Sequence, residues 1–179
     1  MFAAQSGRGG SKAEANKLFL LFHSGAAGYG LEAREVAEVL PLRRLQPIAQ
    51  APAWVAGIFS HRGSLVPVLD LSLLLSGQAA VSRTSTRIVL VHFRRAGTGP
   101  AHLLGLIVER ATNTLRCAPS EFRDYGLDNQ GAPYLGPVYQ GGQGLVQWVR
   151  VHDLLSAEVQ ALLFPGDGAA DGAAEGAPT

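Results

Sequence analysis

Apolar residues fall in short runs separated by Gly, Pro, Ser, Asn and Asp. That cadence predicts strands over 17–23, 29–32, 57–61, 65–69, 87–93, 103–109, 114–117, 134–139 and 145–151. Helical patterns are few. They comprise a turn opened by Pro52 ahead of Trp54 and Val55, a turn after Asp70 through Leu71, Leu73, Leu74 and Leu75 to Gly77, and a C-terminal helix over 153–164, with Asp153 as its cap, stopped by Pro165. Residues 35–40 satisfy both periods and are expected to form a helical turn entering a strand. The flanks, 1–16 and 165–179, are rich in Gly, Ala, Ser and acidic residues without periodicity. They are expected to be a flexible N-terminal tail and a disordered C-terminal tail.

Three blocks recur in order along the chain. LFLLFH at 18–23 echoes IVLVHF at 88–93, an offset of 70. YGLEAREVAEVL at 29–40 echoes LGLIVERATNTL at 104–115, an offset of 75, and VLDLSLLL at 68–75 echoes WVRVHDLL at 148–155, an offset of 80. Offsets that drift only as loops allow indicate a duplicated β unit. The expected architecture is mostly β: two small barrels sharing one core seam, with closure protecting the edges of many short strands.

Composition narrows the function. The chain of 179 residues is 47% hydrophobic and 16% charged, below the roughly 25% usual for soluble domains, so some apolar surface is expected to be reserved for partners. A net charge of +1 disfavours a generic nucleic-acid or anionic-membrane binder. Cys117 is the only cysteine, so neither an intrachain disulfide nor a multi-cysteine metal cluster is available. Residues 1–16 lack the apolar core of a signal peptide, and the run 18–22 is too short to span a bilayer, which points to the cytoplasm.

The chemistry-bearing motifs are mostly missing. There is no Gly-Lys pair for a phosphate loop, no HExxH, no GxSxG and no CxxC. Gly28, Gly30 and Ala33 fit GxGxxA, but no Asp or Glu occurs between Glu38 and Asp70 to hold a ribose hydroxyl, so a hairpin turn is the reading. His23 and His92 occupy equivalent places in the two blocks and read as strand-edge histidines rather than zinc ligands. His152 and Asp153 are neighbours that an extended strand would point to opposite faces. Cys117 reads as a half-buried small residue, Trp148 as a core anchor, and Trp54 as a core anchor with an interface role held open. No catalytic residue, metal ligand or cofactor site is assigned.

The stretch 51–75, APAWVAGIFSHRGSLVPVLDLSLLL, has its own logic. Pro52 starts a turn, Gly57 allows a close reversal into a strand, Arg62-Gly63 makes a hairpin tip, and Pro67 implies an edge or bulge in the returning strand. An arginine held on such a tip is placed to pair with a carboxylate.

This stretch resembles the CheW family of chemotaxis coupling proteins. Ala51, Pro52, Val55, Gly57, Ile58, Arg62, Gly63, Pro67, Val68, Asp70 and Leu71 fit the family pattern in place, as does the Val-x-Glu-Val-Leu element at 36–40. The resemblance covers about 17–164 and implies two SH3-like five-stranded barrels, intertwined, the second mainly about 70–150. It further implies a non-enzymatic cytoplasmic adaptor, without cofactor, recruited to membrane receptor clusters. Such an adaptor couples the cytoplasmic tip of a methyl-accepting chemoreceptor to the regulatory domain of a CheA-type histidine kinase. The implied receptor-binding residues are Val36, Glu38, Val39 and Arg62, with Ile58, Gly63 and Val108 as further partner-interface positions. The chain departs from the pattern at Ser60 and His61 and in its long loop 119–136; combined with EVAEVLPLRRLQP at 35–47 and APAWVAGIFSHRG at 51–63, these departures look most like the coupling proteins of Wsp-type surface-sensing pathways, whose kinase output controls a diguanylate cyclase. The competing reading is a small OB-like barrel that binds single-stranded nucleic acid, which needs aromatic rings interleaved with a basic face around Arg43-Arg44 or Arg94-Arg95.

Overall fold

The computed structural model describes residues 14–95, 99–126 and 129–168. In chain order these form β1 (Lys17–Ser24), β2 (Ala27–Glu32), β3 (Val36–Pro41), β4 (Val55–His61), β5 (Ser64–Asp70), α1 (Leu71–Ser76), β6 (Arg87–Arg94), β7 (Ala101–Cys117), β8 (Phe122–Arg123), β9 (Leu135–Gly141), β10 (Gly144–Val149) and α2 (Ala157–Leu163). Short 3-10 turns at Ala33–Glu35, Pro119–Glu121 and Val151–Asp153 join them. The expected tails lie mostly outside the described residues, but Pro165–Gly168, assigned to the second, forms a 3-10 turn. Glu14, within the first, accepts a hydrogen bond from the Ser120 amide at 3.2 Å.

The strands form two SH3-like barrels, the middle one of five strands and the terminal one of six, with β7 shared between them. In the middle barrel β3 pairs β6, β6 pairs β7, β7 runs parallel to β5, and β5 pairs β4. Beyond β3 the chain returns to β4, where Gln46 and Ile58 exchange amide-to-carbonyl bonds of 2.9 and 2.8 Å and complete the ring. In the terminal barrel β7 pairs β1, β1 pairs β2, β2 runs parallel to β10, β10 pairs β9 and β9 pairs the two-residue β8. Each barrel therefore draws on both repeats. The terminal one takes strands from both ends of the chain, and the middle one spans β3 to β7, a different partition from a second barrel over 70–150.

The sequence echo is visible in the register. Val68 of β5 lies opposite Gly105 of β7, and Trp148 of β10 lies opposite Gly30 of β2, the same pair carried through offsets of 80 and 75. The shared glycine has a packing reason. A Cβ on Gly105 would come within 2.9 Å of Val68 Cγ2, and one on Gly30 within 3.2 Å of Val146 Cγ1. The GxGxxA match is thus neither a dinucleotide turn nor the hairpin turn expected: Gly28 and Gly30 lie inside β2, and the β1–β2 turn falls at Gly25, φ +60°.

Strand alternation divides the apolar residues among three cores. Ile88 and Leu90 face into the middle barrel with Leu40, Phe59, Val66 and Val68. Their neighbours Val89, Val91 and Phe93 face the opposite way, into the seam, with Phe22, Leu31, Leu69, Leu104, Leu106 and the residues of α2. Phe19, Leu21, Leu115, Cys117, Phe122 and Val146 fill the terminal barrel, with Trp148 edge-on to Phe19 at 4.9 Å. β6 can be apolar at five of eight positions because both its faces are buried.

Several local expectations shift. The runs 103–109 and 114–117 fuse into the 17-residue β7, since β6 pairs its first half and β1 its second; it turns between barrels at Arg110, φ +50°, beside a register shift in β1. Residues 35–40 are the expected turn entering a strand. Asp70 caps α1 by accepting from the Leu73 amide, 3.0 Å, and Gly77 ends it at φ +73°. The C-terminal helix starts later than predicted, capped by Ser156 rather than Asp153. Pro67 is not on an edge strand, but it precedes Val68, where β5 first pairs β7, so one side of β5 is still open there; the bulge is in β4, between Val55 and Gly57.

Candidate partner-binding site

The β4–β5 turn is the hairpin tip that the sequence predicts. Arg62 and Gly63 take φ of +48° and +80°, the pair of left-handed residues of a type I′ turn, with His61 opposite Ser64. A non-glycine residue there costs on the order of 1 kcal/mol or more, so something must hold it. The alternation that buries Val55, Gly57 and Phe59 also turns His61 inward, 8% exposed and against the Phe59 ring. On β3 a bulge between Val36 and Glu38 resets the pleat, which puts Glu38 on the same side as buried Leu40.

These two strands bring three polar side chains together at the mouth of the middle barrel. Glu38 Oε2 pairs with His61 Nε2 at 3.1 Å and with Arg62 Nη2 at 3.2 Å. The arginine remains 76% exposed, so the pair presents a guanidinium anchored at one nitrogen and open at the others.

Of the sequence-assigned residues, Glu38 and Arg62 meet, while Val39 lies on the opposite side of β3, 44% exposed. Val36 is half-buried at the start of β3, packed against the seam core. Ile58 is half-buried and bound through its backbone to Gln46, and Gly63 is exposed at the tip. Val108 is corrected: it is wholly buried in the seam and offers a partner no surface. His61 received no role from the sequence beyond being a departure from pattern, although counting inward by twos from Phe59 would have found it.

Other candidates resolve differently. Cys117 is fully rather than half buried, and burial followed by the Glu121 charge pushes its thiol pKa up. His152 and Asp153 do pair, Nε2 to Oδ2 at 3.3 Å, because they sit in a 3-10 turn and not in a strand. His23 and His92 lie on β1 and β6, separated by β7, and among the described residues no group of three or more His, Cys, Asp or Glu could hold a metal ion. The nucleic-acid reading loses its aromatics: Phe93 is wholly buried, and Phe59, under the Arg43 guanidinium at 5.7 Å, is nearly so. No helix among the described residues is long and apolar enough to cross a membrane.

Two interleaved SH3-like barrels with a charged hairpin tip define a class of tandem-barrel β proteins that present polar groups on turns and strand edges. Within that class the chain belongs to the CheW-like domain family, whose model matches residues 18–159. It is 24% identical over 148 residues to the chemotaxis protein CheW of Klebsiella aerogenes, covering 81% of this chain and 85% of that protein. It is 33% identical over 98 residues to the protein FrzA of Myxococcus xanthus, covering 54% and 61%. The solved scaffolding protein TtCheW from Thermoanaerobacter tengcongensis shares the fold with a TM-score of 0.68 at 19% identity, over 82% of this chain and 92% of that one.

Proposed function

We propose that the chain is a non-enzymatic adaptor that couples the cytoplasmic tip of a methyl-accepting chemoreceptor to the CheW-like regulatory domain of a CheA-type histidine kinase. It works in the cytoplasm at membrane receptor clusters, without inserting into the bilayer. Family membership supports this reading, as do relatives that carry the names chemotaxis protein and scaffolding protein. The observation that carries it is Arg62, held in a left-handed turn and exposed beside Glu38. An outlier backbone whose side chain is tied to a half-buried carboxylate, itself paired with a buried histidine, is how a rigid recognition group is built. The receptor meets Arg62, Glu38, Val36 and Val39, while Ile58 and Gly63 flank that surface. The resemblance at Ser60, His61 and the loop 119–136 supports reading the system as a Wsp-type one, whose kinase output controls a diguanylate cyclase.

Arg62→Glu puts a carboxylate beside Glu38 and reverses the presented charge. It is expected to weaken co-purification with the cognate receptor by about tenfold or more, the worth of a charged hydrogen bond. Stability should change by less than about 1 kcal/mol, because the substituted side chain is largely exposed. In cells carrying the receptor, kinase and cyclase, cyclic di-GMP should lose its response to the signal. Undiminished receptor capture by Arg62→Glu refutes the assignment.

A further inference from the structure

His61 takes the last inward place of β4, after Val55, Gly57 and Phe59, where strand alternation calls for an apolar residue. It is also one of the positions at which the chain leaves the family pattern. Its ring is 8% exposed and tilted against Phe59, with centroids 6.0 Å apart. Burying a polar ring is costly unless it is hydrogen-bonded, and the partner it finds is Glu38 Oε2 at 3.1 Å. An ionised carboxylate only accepts, which assigns a ring hydrogen to Nε2.

That bond crosses a gap in the backbone pairing. β3 pairs β6 and β4 pairs β5, and the chain after β3 meets β4 through the bridge of Gln46 and Ile58. Glu38 therefore reaches β4 through its side chain. A glutamate has several rotatable bonds and this one is 33% exposed, so its position depends on what it bonds. Of its two partners, His61 is buried and packed, while Arg62 is 76% exposed. The histidine is the rigid one. With Oε2 fixed on His61, the Arg62 guanidinium has a stationary acceptor at 3.2 Å.

We propose that His61 is a positioning residue for receptor binding: by holding Glu38 Oε2 in place it aims the Arg62 guanidinium, and so sets the affinity of the hairpin tip for a carboxylate of the receptor. The contacts run outward from the core, Phe59 to His61 to Glu38 to Arg62. The proposal rests on the reading of Arg62 as the receptor contact. An aliphatic residue at 61 leaves Glu38 free to swing towards solvent, and the long arginine side chain then loses its freedom on binding rather than on folding.

Two plainer roles fit less well. Packing alone does not call for a histidine, since leucine fills an inward position with no polar atom to satisfy. Metal binding needs more ligands than Glu38 and His61 provide, and among the described residues no group of three or more His, Cys, Asp or Glu could hold an ion.

The test compares His61→Leu with His61→Gln in the full chain. Leucine keeps the bulk and removes the donor, whereas glutamine returns an N–H at about the reach of Nε2. The heteronuclear NOE of the Arg62 side-chain Nε–H reports its order on the picosecond-to-nanosecond scale. It is expected to fall in His61→Leu and to recover in His61→Gln, with both variants unfolding close to the parent midpoint. Capture of a cytoplasmic fragment of the cognate receptor, tip included, should weaken about threefold to tenfold in His61→Leu, the range of one net hydrogen bond, and recover in His61→Gln. In an Arg62→Ala background His61→Leu should have no further effect, because it acts through that arginine. An unchanged NOE, no recovery with glutamine, or a further loss in the Arg62→Ala background overturns the proposal. Undiminished capture by Arg62→Glu overturns the receptor contact and this proposal together, whereas loss with Arg62→Glu but not with His61→Leu overturns this proposal alone.

Discussion

Gly57→Ala asks whether the middle barrel depends on one close backbone approach. Gly57 has φ +147°, a conformation that side chains rarely adopt, at the bulge of β4. A Cβ there would sit 2.5 Å from the Gln46 carbonyl oxygen and 3.0 Å from both the Gln46 carbonyl carbon and Leu45 Cβ. That oxygen accepts the Ile58 amide and cannot retreat without opening the Gln46–Ile58 bridge. Backbone strain costs about 1–3 kcal/mol, and losing the two bridge hydrogen bonds adds about 1–3 kcal/mol. The reduced entropy of the unfolded chain returns about 0.4–1 kcal/mol. The expected loss is about 2–5 kcal/mol, a large part of the roughly 5–15 kcal/mol that a domain has. Gly63→Ala is the matched control, with φ +80° but open space around the added methyl, so only the strain of about 1–3 kcal/mol applies. Urea unfolding followed by far-UV circular dichroism measures both as midpoint shifts at unchanged slope. If Gly57→Ala proves no more damaging than Gly63→Ala, the bridge is not what closes the barrel.

Two further outcomes follow from the polar clusters. Glu35 has a folded pKa raised to about 7, by burial first and by the Glu32 charge second, so the folded state holds its proton while the unfolded chain ionises. The penalty is absent below the unfolded value, grows as pH rises towards 7 and is constant above; Glu35→Gln should equal the parent near pH 4.5 and exceed it at higher pH, by roughly 1–2 kcal/mol after screening. A parallel pH profile for the two proteins rules this out. His61→Leu removes a donor from Glu38, but Arg62 and water still serve that half-exposed carboxylate, and leucine packs against Phe59. Its stability should change by less than about 1 kcal/mol, and a loss above about 2 kcal/mol in the same urea assay would show that the hydrogen bond, not the packing, is what counts there.

All nine anticipated strands are present among the described residues, since period-two alternation and turn residues are local signals that survive any tertiary context. The two-residue β8 was missed because it is too short to show a period. The GxGxxA match misled for a related reason: a glycine demanded by a neighbouring strand looks, in sequence, like one demanded by a turn. At the candidate site, the hairpin and Arg62 were readable from Arg-Gly between two apolar runs. The Glu38 carboxylate under that arginine was not readable as a contact, since its partners lie 23 and 24 residues along the chain.

The sequence by itself determined the succession of strands along the chain, the duplication, the limits of α1 between Asp70 and Gly77 and the turn that displays Arg62, because each rests on neighbours in the chain. Only the tertiary structure decided that the repeats exchange strands, so that β5 runs beside β7 and β10 beside β2. It alone buried Val108 in the seam, turned His61 onto Glu38 and left a buried Glu35 oxygen unpaired at the turn between the barrels. Parallel pairing and side-chain burial depend on which distant strands close each ring, and no local period encodes that choice.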